Sequence, residues 1–192
     1  METPKRIDIR SLTLAELQTQ LMAFGEPGFR AKQVYQWLWE KTCTNFDEMS
    51  NLSKSLRETL KTQFEICAVK IHQSQISEDR TIKNSFKLYD GNLVEGVLIP
   101  TTERMTACVS SQVGCSLTCK FCATGYMDRK RNLNADEIFD QVVLIAKQAE
   151  QNYKLALSNI VYMGMGEPLL NYSSVLTSIE RICGDPGLGM SP

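Results

Sequence analysis

Three cysteines, Cys115, Cys119 and Cys122, stand in a C-x3-C-x2-C array. Three thiolates on one short loop can each hold one iron of a cubane cluster, leaving a fourth iron without a protein ligand. An open iron site is what S-adenosylmethionine (SAM) needs, because its amino and carboxylate groups can chelate there. An electron from the reduced cluster then cleaves the sulfonium and leaves a carbon radical. The competing chemistry is structural zinc, which wants four N or S ligands, generally in paired knuckles. Cys108 could supply a fourth thiolate, whereas the only histidine, His72, lies far upstream. Ligand count and spacing favour iron–sulfur.

Further along, Gly164-Met165-Gly166-Glu167-Pro168 follows a short apolar segment, Ile160 to Met163, that reads as a strand. Ligands in α/β folds collect at the carboxyl ends of strands. Glycines there allow close backbone approach, and Glu167 can receive an ammonium group. Cys108 falls on an expected strand, where a cysteine is either a small hydrophobe or a reactive thiol. Glu95 also falls on a strand, as a solvated side chain or as a base in a protected position. Arg129-Lys130-Arg131 suits RNA phosphates or a solvated loop. Trp37 and Trp39 suit base stacking or, more simply, helix packing. Cys43, Cys67 and Cys183 have no partner pattern and read as structural.

The segment Thr106-Ala107-Cys108-Val109-Ser110-Ser111-Gln112-Val113-Gly114-Cys115, the cysteine array with Phe121 before its last member, and Met163 to Leu169 together resemble the RlmN/Cfr family. Phe29 to Gln33 and Tyr35 to Leu38 resemble that family's N-terminal helical domain. The family comprises radical SAM methyltransferases acting on adenosine carbons in RNA. The resemblance implies a 4Fe-4S cluster on Cys115, Cys119 and Cys122, and SAM contacts at Gly166 and Glu167. It implies that one SAM methylates a cysteine near the carboxyl terminus, and that a second yields the radical that activates this methyl group for addition to adenine. Glu95 then matches the base that takes a proton from the adenine carbon. Cys108 matches the thiol that releases product by forming a disulfide. The implied partners are 23S rRNA and tRNA, with an electron donor such as flavodoxin or ferredoxin, and adenine C2 is the expected target.

These residues need elements to hold them. Thr13-Leu14-Ala15-Glu16 fits a capping box, with Leu14, Leu17, Leu21 and Phe24 at helical spacing and Gly25 as a stop. Helices are expected over about 30–41 and 53–64, each with one apolar stripe. Then the period changes. Val69, Ile71 and Ile76 suggest a strand, and Ile82 to Tyr89 and Leu93 to Ile99 flank Asp90-Gly91-Asn92, a hairpin signal. Met105 to Ser110 should be a strand, followed by a helix capped at Asn134 and another over about 172–183. The resulting fold class is α/β. It comprises an N-terminal helical accessory domain (1–67, for RNA recognition), a β-hairpin connector (68–103), and the first two β/α units of a partial radical SAM barrel (104–192). Two parallel units cannot close a barrel, so the chain reads as cut short, without the carboxyl-terminal cysteine.

Bulk properties exclude little beyond this. The 192 residues are 43% hydrophobic with net charge −1, enough for a real core and no hint of disorder. Charge does not advertise nucleic acid: the first 67 residues carry nine Lys/Arg against nine Asp/Glu. Met1 to Arg10 lacks the apolar stretch of a signal peptide, and no run is long enough for a membrane span. Seven cysteines, four crowded between Cys108 and Cys122, indicate metal or redox chemistry in the cytoplasm. Three alternatives stay open: an adenine-C8 methyltransferase of the same family, a radical SAM reaction on a small molecule or protein, and a zinc-stabilised RNA-binding module.

Overall fold

The Thr13 hydroxyl accepts the Glu16 N–H while the Glu16 carboxylate accepts the Thr13 N–H, so the expected capping box starts the first helix. The computed structural model describes residues 6–191, and the first five residues of the Met1 to Arg10 segment lie outside it. Two compact units result: the described residues up to Cys67 with those from Arg181 onward, and Ala68–Glu180.

In the first unit a short strand β1 (Ile7–Asp8) precedes helices α1 (Leu14–Ala23), α2 (Phe29–Trp39) and α3 (Lys54–Gln63). Strand β2 (Phe64–Glu65) then returns to pair in parallel with β1. Leu17, Leu21, Val34, Leu38, Leu56 and Leu60 are buried, as one apolar stripe per helix requires. Gly25 takes φ +80°, which ends α1 where a residue without Cβ is needed. Trp39 is buried, so packing claims it. Trp37 is half-exposed, bonded to Asn51 and overlaid by the Lys41 ammonium.

The second unit is built on a mixed sheet in the order β3 (Lys70–Ile76), β4 (Ile82–Lys87), β5 (Leu93–Pro100), β6 (Met105–Cys108) and β9 (Asn159–Val161). Between β6 and β9 come a small ribbon, β7 (Gln112–Val113) with β8 (Arg131–Asn132), and the long helix α4 (Ala135–Tyr153). Helix α5 (Tyr172–Cys183) follows β9. The strands through β6 are antiparallel, and the β6–β9 pair is parallel across the α4 connection. Asp90-Gly91-Asn92 makes the expected turn, with Gly91 at φ +81°. Strand β3 is exposed along its whole length, because its apolar residues do not alternate cleanly enough to give it a core face.

The segment 68–103 is continuous with the strands after it. Residues 97–100 of β5 pair with β6, so a boundary at 103/104 would cut the sheet in two. Residues 181–191 group with the first unit rather than with the second.

The sheet has two unlike faces. Val94, Leu98, Met105 and Ala107 are buried on the α4 side with Ile138, Val142, Ile145 and Ala149. Gly96 lets the layers close up: a Cβ there would stand 2.6 Å from the Phe86 ring and 3.4 Å from Ile145 Cδ1. The other face carries Glu95, Val97, Thr106 and Cys108, all exposed or half-exposed. No helix among the described residues is long and apolar enough to cross a membrane.

Candidate active site

The cysteine array occupies the loop between β7 and β8. Gly114 opens it at φ +74°, where a Cβ would fall 2.1 Å from the Asp128 carbonyl oxygen, so the two stems of the loop touch through backbone. Gly125 does the same inside the loop, with a Cβ position 2.8 Å from Cys119 O. Cys122 N–H donates to Cys119 O and Gly125 N–H to Cys122 O, each at 3.0 Å. Backbone amides of Gly125 and Thr124 point at the Cys122 sulfur and lower its pKa, outweighing the small effect of burial. All three thiols are half-exposed.

Among the described residues, no three His, Cys, Asp or Glu side chains converge as metal ligands. Ligand convergence and metal binding are coupled in small sites, so the test of fit rests on the donor set. Three soft thiols lie within eight residues on a tightly wound loop, with amides aimed at one sulfur. That set suits an iron–sulfur cluster. A closed zinc site needs a fourth ligand, and Cys108, the next cysteine in sequence, stands on β6 and not on this loop.

The Gly164–Pro168 turn lies beside the base of that loop, and a dense polar hub fixes it there. Ser110 Oγ donates to the Glu95 carbonyl and accepts the Met165 N–H at 2.8 Å. Met165 O accepts the N–H groups of Ser111 and Gln112 at 2.9 and 3.1 Å. Asn171 Nδ2 donates to the carbonyls of Ser111 and Leu133, both at 2.8 Å. From α4, Gln141 accepts the Ser110 N–H and donates to the Ser110 carbonyl, imitating a neighbouring strand. Ser111 Oγ is the exception, buried without a hydrogen-bond partner among the described residues.

Gly166 takes φ +93°. Glu167 is half-buried and its Oε1 accepts the Leu169 N–H at 3.1 Å, capping a short 3-10 turn. A carboxylate keeps further lone pairs for a ligand. Glu95 pairs with Lys83 at 2.7 Å on the open face, each side chain about half exposed (52% and 51%). Cys108 stands opposite Val97, hence on that same face as Glu95. Burial raises the Cys108 thiol pKa, and the Met163 N–H, donating to sulfur, opposes this.

Of the basic run, Arg131 is already engaged. It forms a two-pronged pair with the buried Glu137 at 2.7 and 2.8 Å and reaches Asp90 at 2.7 Å. Lys130 bonds Asn92 and Arg129 bonds Asn132. The hub residues Gln112, Gln141 and Asn171 carried no assigned role in sequence. Their one signal is position, two of them being amides within or beside motif segments.

A sequence model described as the ribosomal RNA large subunit methyltransferase N-terminal domain matches residues 7–66. A protein of Cytophaga hutchinsonii named probable dual-specificity RNA methyltransferase RlmN is 59% identical over 96% of this chain and 50% of its own length. Over nearly its whole length the chain is similar to RlmN methyltransferases. A second RlmN-family relative, from Christiangramia forsetii and bearing the same name, is 53% identical over 98% of the chain and 53% of its own length. A solved radical SAM methyltransferase from Sphaerobacter thermophilus superposes with TM-score 0.84 at 38% identity, covering 96% of this chain and 54% of that one. The chain thus spans about half the length of the curated relatives it matches.

Proposed function

We propose that this chain carries the cofactor-binding part of a radical SAM RNA methyltransferase that modifies C2 of a specific adenosine in 23S rRNA and in tRNA. The observation that carries the reading is the hub joining Ser110-Ser111-Gln112 to the Gly164–Pro168 turn. It sets the three-cysteine loop and the Glu167 turn side by side at the carboxyl ends of β6 and β9. Supporting it are the names of the relatives, RNA methyltransferases, and the likeness to a radical SAM methyltransferase.

In this reading Cys115, Cys119 and Cys122 hold a 4Fe-4S cluster. A cluster held there would supply the one-electron reducing chemistry that radical use of SAM needs. The loop glycines let backbone amides close around the sulfurs. Gly166 brings backbone close to the methionine end of SAM, and Glu167 receives its ammonium group. Glu95 accepts the proton lost from the adenine carbon. Cys108 supplies a thiol to the product-release step, with the Met163 N–H opposing in part the burial that raises its pKa. The 6–67 helices present RNA-facing surface without a strong basic field, and the electron donor is a small one-electron carrier such as flavodoxin or ferredoxin.

Anaerobic iron and sulfide analysis, with EPR spectra before and after SAM, tests the core of this reading. About four irons per chain and a signal altered by SAM support it. A colourless protein holding stoichiometric zinc rejects it in favour of an RNA-binding module. Mass mapping of methylated adenosine in rRNA and tRNA then separates C2 from C8.

A further inference from the structure

Gln112 is fully buried, three residues before the first cysteine of the loop, and both ends of its carboxamide are used. Oε1 accepts the Glu167 N–H at 2.9 Å, and Nε2 donates to Asn132 Oδ1 at 2.8 Å. Asn132 lies on β8, the strand by which the cysteine loop returns, and its own Nδ2 donates to Leu170 O at 3.2 Å. One side chain therefore ties the outgoing stem of the loop, the returning stem and the Glu167 turn together.

The fit leaves no slack. A Cβ on Gly166 would stand 2.4 Å from Gln112 Cβ, 2.6 Å from Cγ and 2.8 Å from the Gln112 nitrogen. Burying a carboxamide gains little over burying an apolar residue of the same shape. What the polar ends add is direction, because each bond fixes one partner in angle as well as distance.

We propose that Gln112 is a positioning residue for SAM, setting the Glu167 carboxylate at a fixed place relative to the cysteine loop. The inference rests on the functional reading above. In that reading SAM would be held by the cysteine-loop cluster and by Glu167 together, so drift between loop and turn would weaken its binding while leaving the thiols able to hold iron.

The test compares wild type with Gln112→Met and Gln112→Glu, all reconstituted anaerobically. Gln112→Met keeps the shape and removes both polar ends. Gln112→Glu keeps an acceptor for the Glu167 N–H and, held protonated by full burial, an O–H donor for Asn132 Oδ1, so it serves as the rescuing variant should Gln112→Met fold poorly. Three quantities are read: iron per chain, the SAM dissociation constant from the EPR change, and exchange of the Glu167 amide in the cofactor-free chain.

The expected result is equal iron in all three and faster Glu167 exchange in Gln112→Met only. The SAM dissociation constant should rise about tenfold in Gln112→Met and stay within about threefold of wild type in Gln112→Glu. Unchanged SAM affinity in iron-loaded Gln112→Met overturns the inference alone. So does joint loss of iron and SAM binding in both variants, which would make Gln112 a scaffold for the loop. A wild type that loads iron without responding to SAM, or loads none, rejects the functional reading itself and the SAM half of this inference with it.

Discussion

Glu95 and Cys108 stand on the same face of the sheet, on adjacent antiparallel strands, with Cys108 opposite Val97, two residues along β5 from Glu95. Side chains on a pleated strand repeat every second residue, so both project away from α4. This face is the one the sheet leaves open, and the Gly164–Pro168 turn lies at its edge. The base and thiol roles proposed for them on one substrate would need such common exposure.

Glu95→Gln should therefore separate chemistry from stability. Among the charged groups of the described residues its carboxylate pairs only with the exposed Lys83, so the unfolding free energy from urea titration should stay within about 0.5 kcal/mol of wild type. RNA methylation by an enzyme carrying this segment should fall by about 10²–10⁴. An unchanged methylation rate would remove Glu95 from the proton-transfer role.

Gly114→Ala should disrupt the cysteine loop without touching a thiol. A methyl group at φ +74°, placed 2.1 Å from Asp128 O, forces the two stems apart. Such strain costs of order 1–3 kcal/mol or shifts the loop. Iron analysis should show sub-stoichiometric loading although all seven cysteines titrate with a thiol reagent after unfolding.

Arg131→Met should be among the most damaging single changes in the second unit. It leaves the carboxylate of Glu137, a residue 1% exposed, with only the Asn134 N–H among the described residues, and it removes the Asp90 tie to the hairpin turn, leaving the Lys130–Asn92 bond. Removing one partner of a buried pair costs about 3–5 kcal/mol, and the partial exposure of Arg131 places this case near the lower bound. Thermal unfolding by calorimetry would show it. A shift equivalent to under about 1 kcal/mol would mean the pair is solvated.

Asp90 makes part of that stability pH-dependent. Burial alone would raise its pKa, but hydrogen bonds from Arg131 and Asn92, with the Arg131 charge, hold it at about 2. A depressed carboxylate stabilises the fold above its unfolded pKa of about 3.9, and that stabilisation fades as pH falls towards 2. After discounting for solvent screening it amounts to about 1 kcal/mol. Asp90→Asn should be less stable than wild type by that amount at pH 7 and indistinguishable from it near pH 2.

Thiol labelling should sort the cysteines by environment. Burial pushes Cys43 up to about 12, with Glu48 adding to it; burial with Asp8 and Glu65 does the same for Cys67. At pH 8 iodoacetamide should leave both largely unmodified in the folded cofactor-free chain while the half-exposed loop cysteines react. Early labelling of Cys43 would mean the first unit opens readily.

By itself the sequence determined the local features. The Thr13 capping box, the Asn134 N-cap, the Asp90-Gly91-Asn92 turn and the helix over 172–183 follow from residue types a few positions apart, since caps and turns are short-range hydrogen bonding. The cysteine array and the Gly166-Glu167 turn were likewise legible, because ligand chemistry is written in residue identity and spacing.

Tertiary structure decided the rest. That 93–100 joins β6 in one sheet, that Arg131 spends its charge on Glu137 and Asp90, and that Gln112 reaches Glu167 across 55 residues are pairings between distant segments. No local pattern encodes them. Which donor meets which acceptor is fixed only when the strands find their register and the unpaired alternatives are buried.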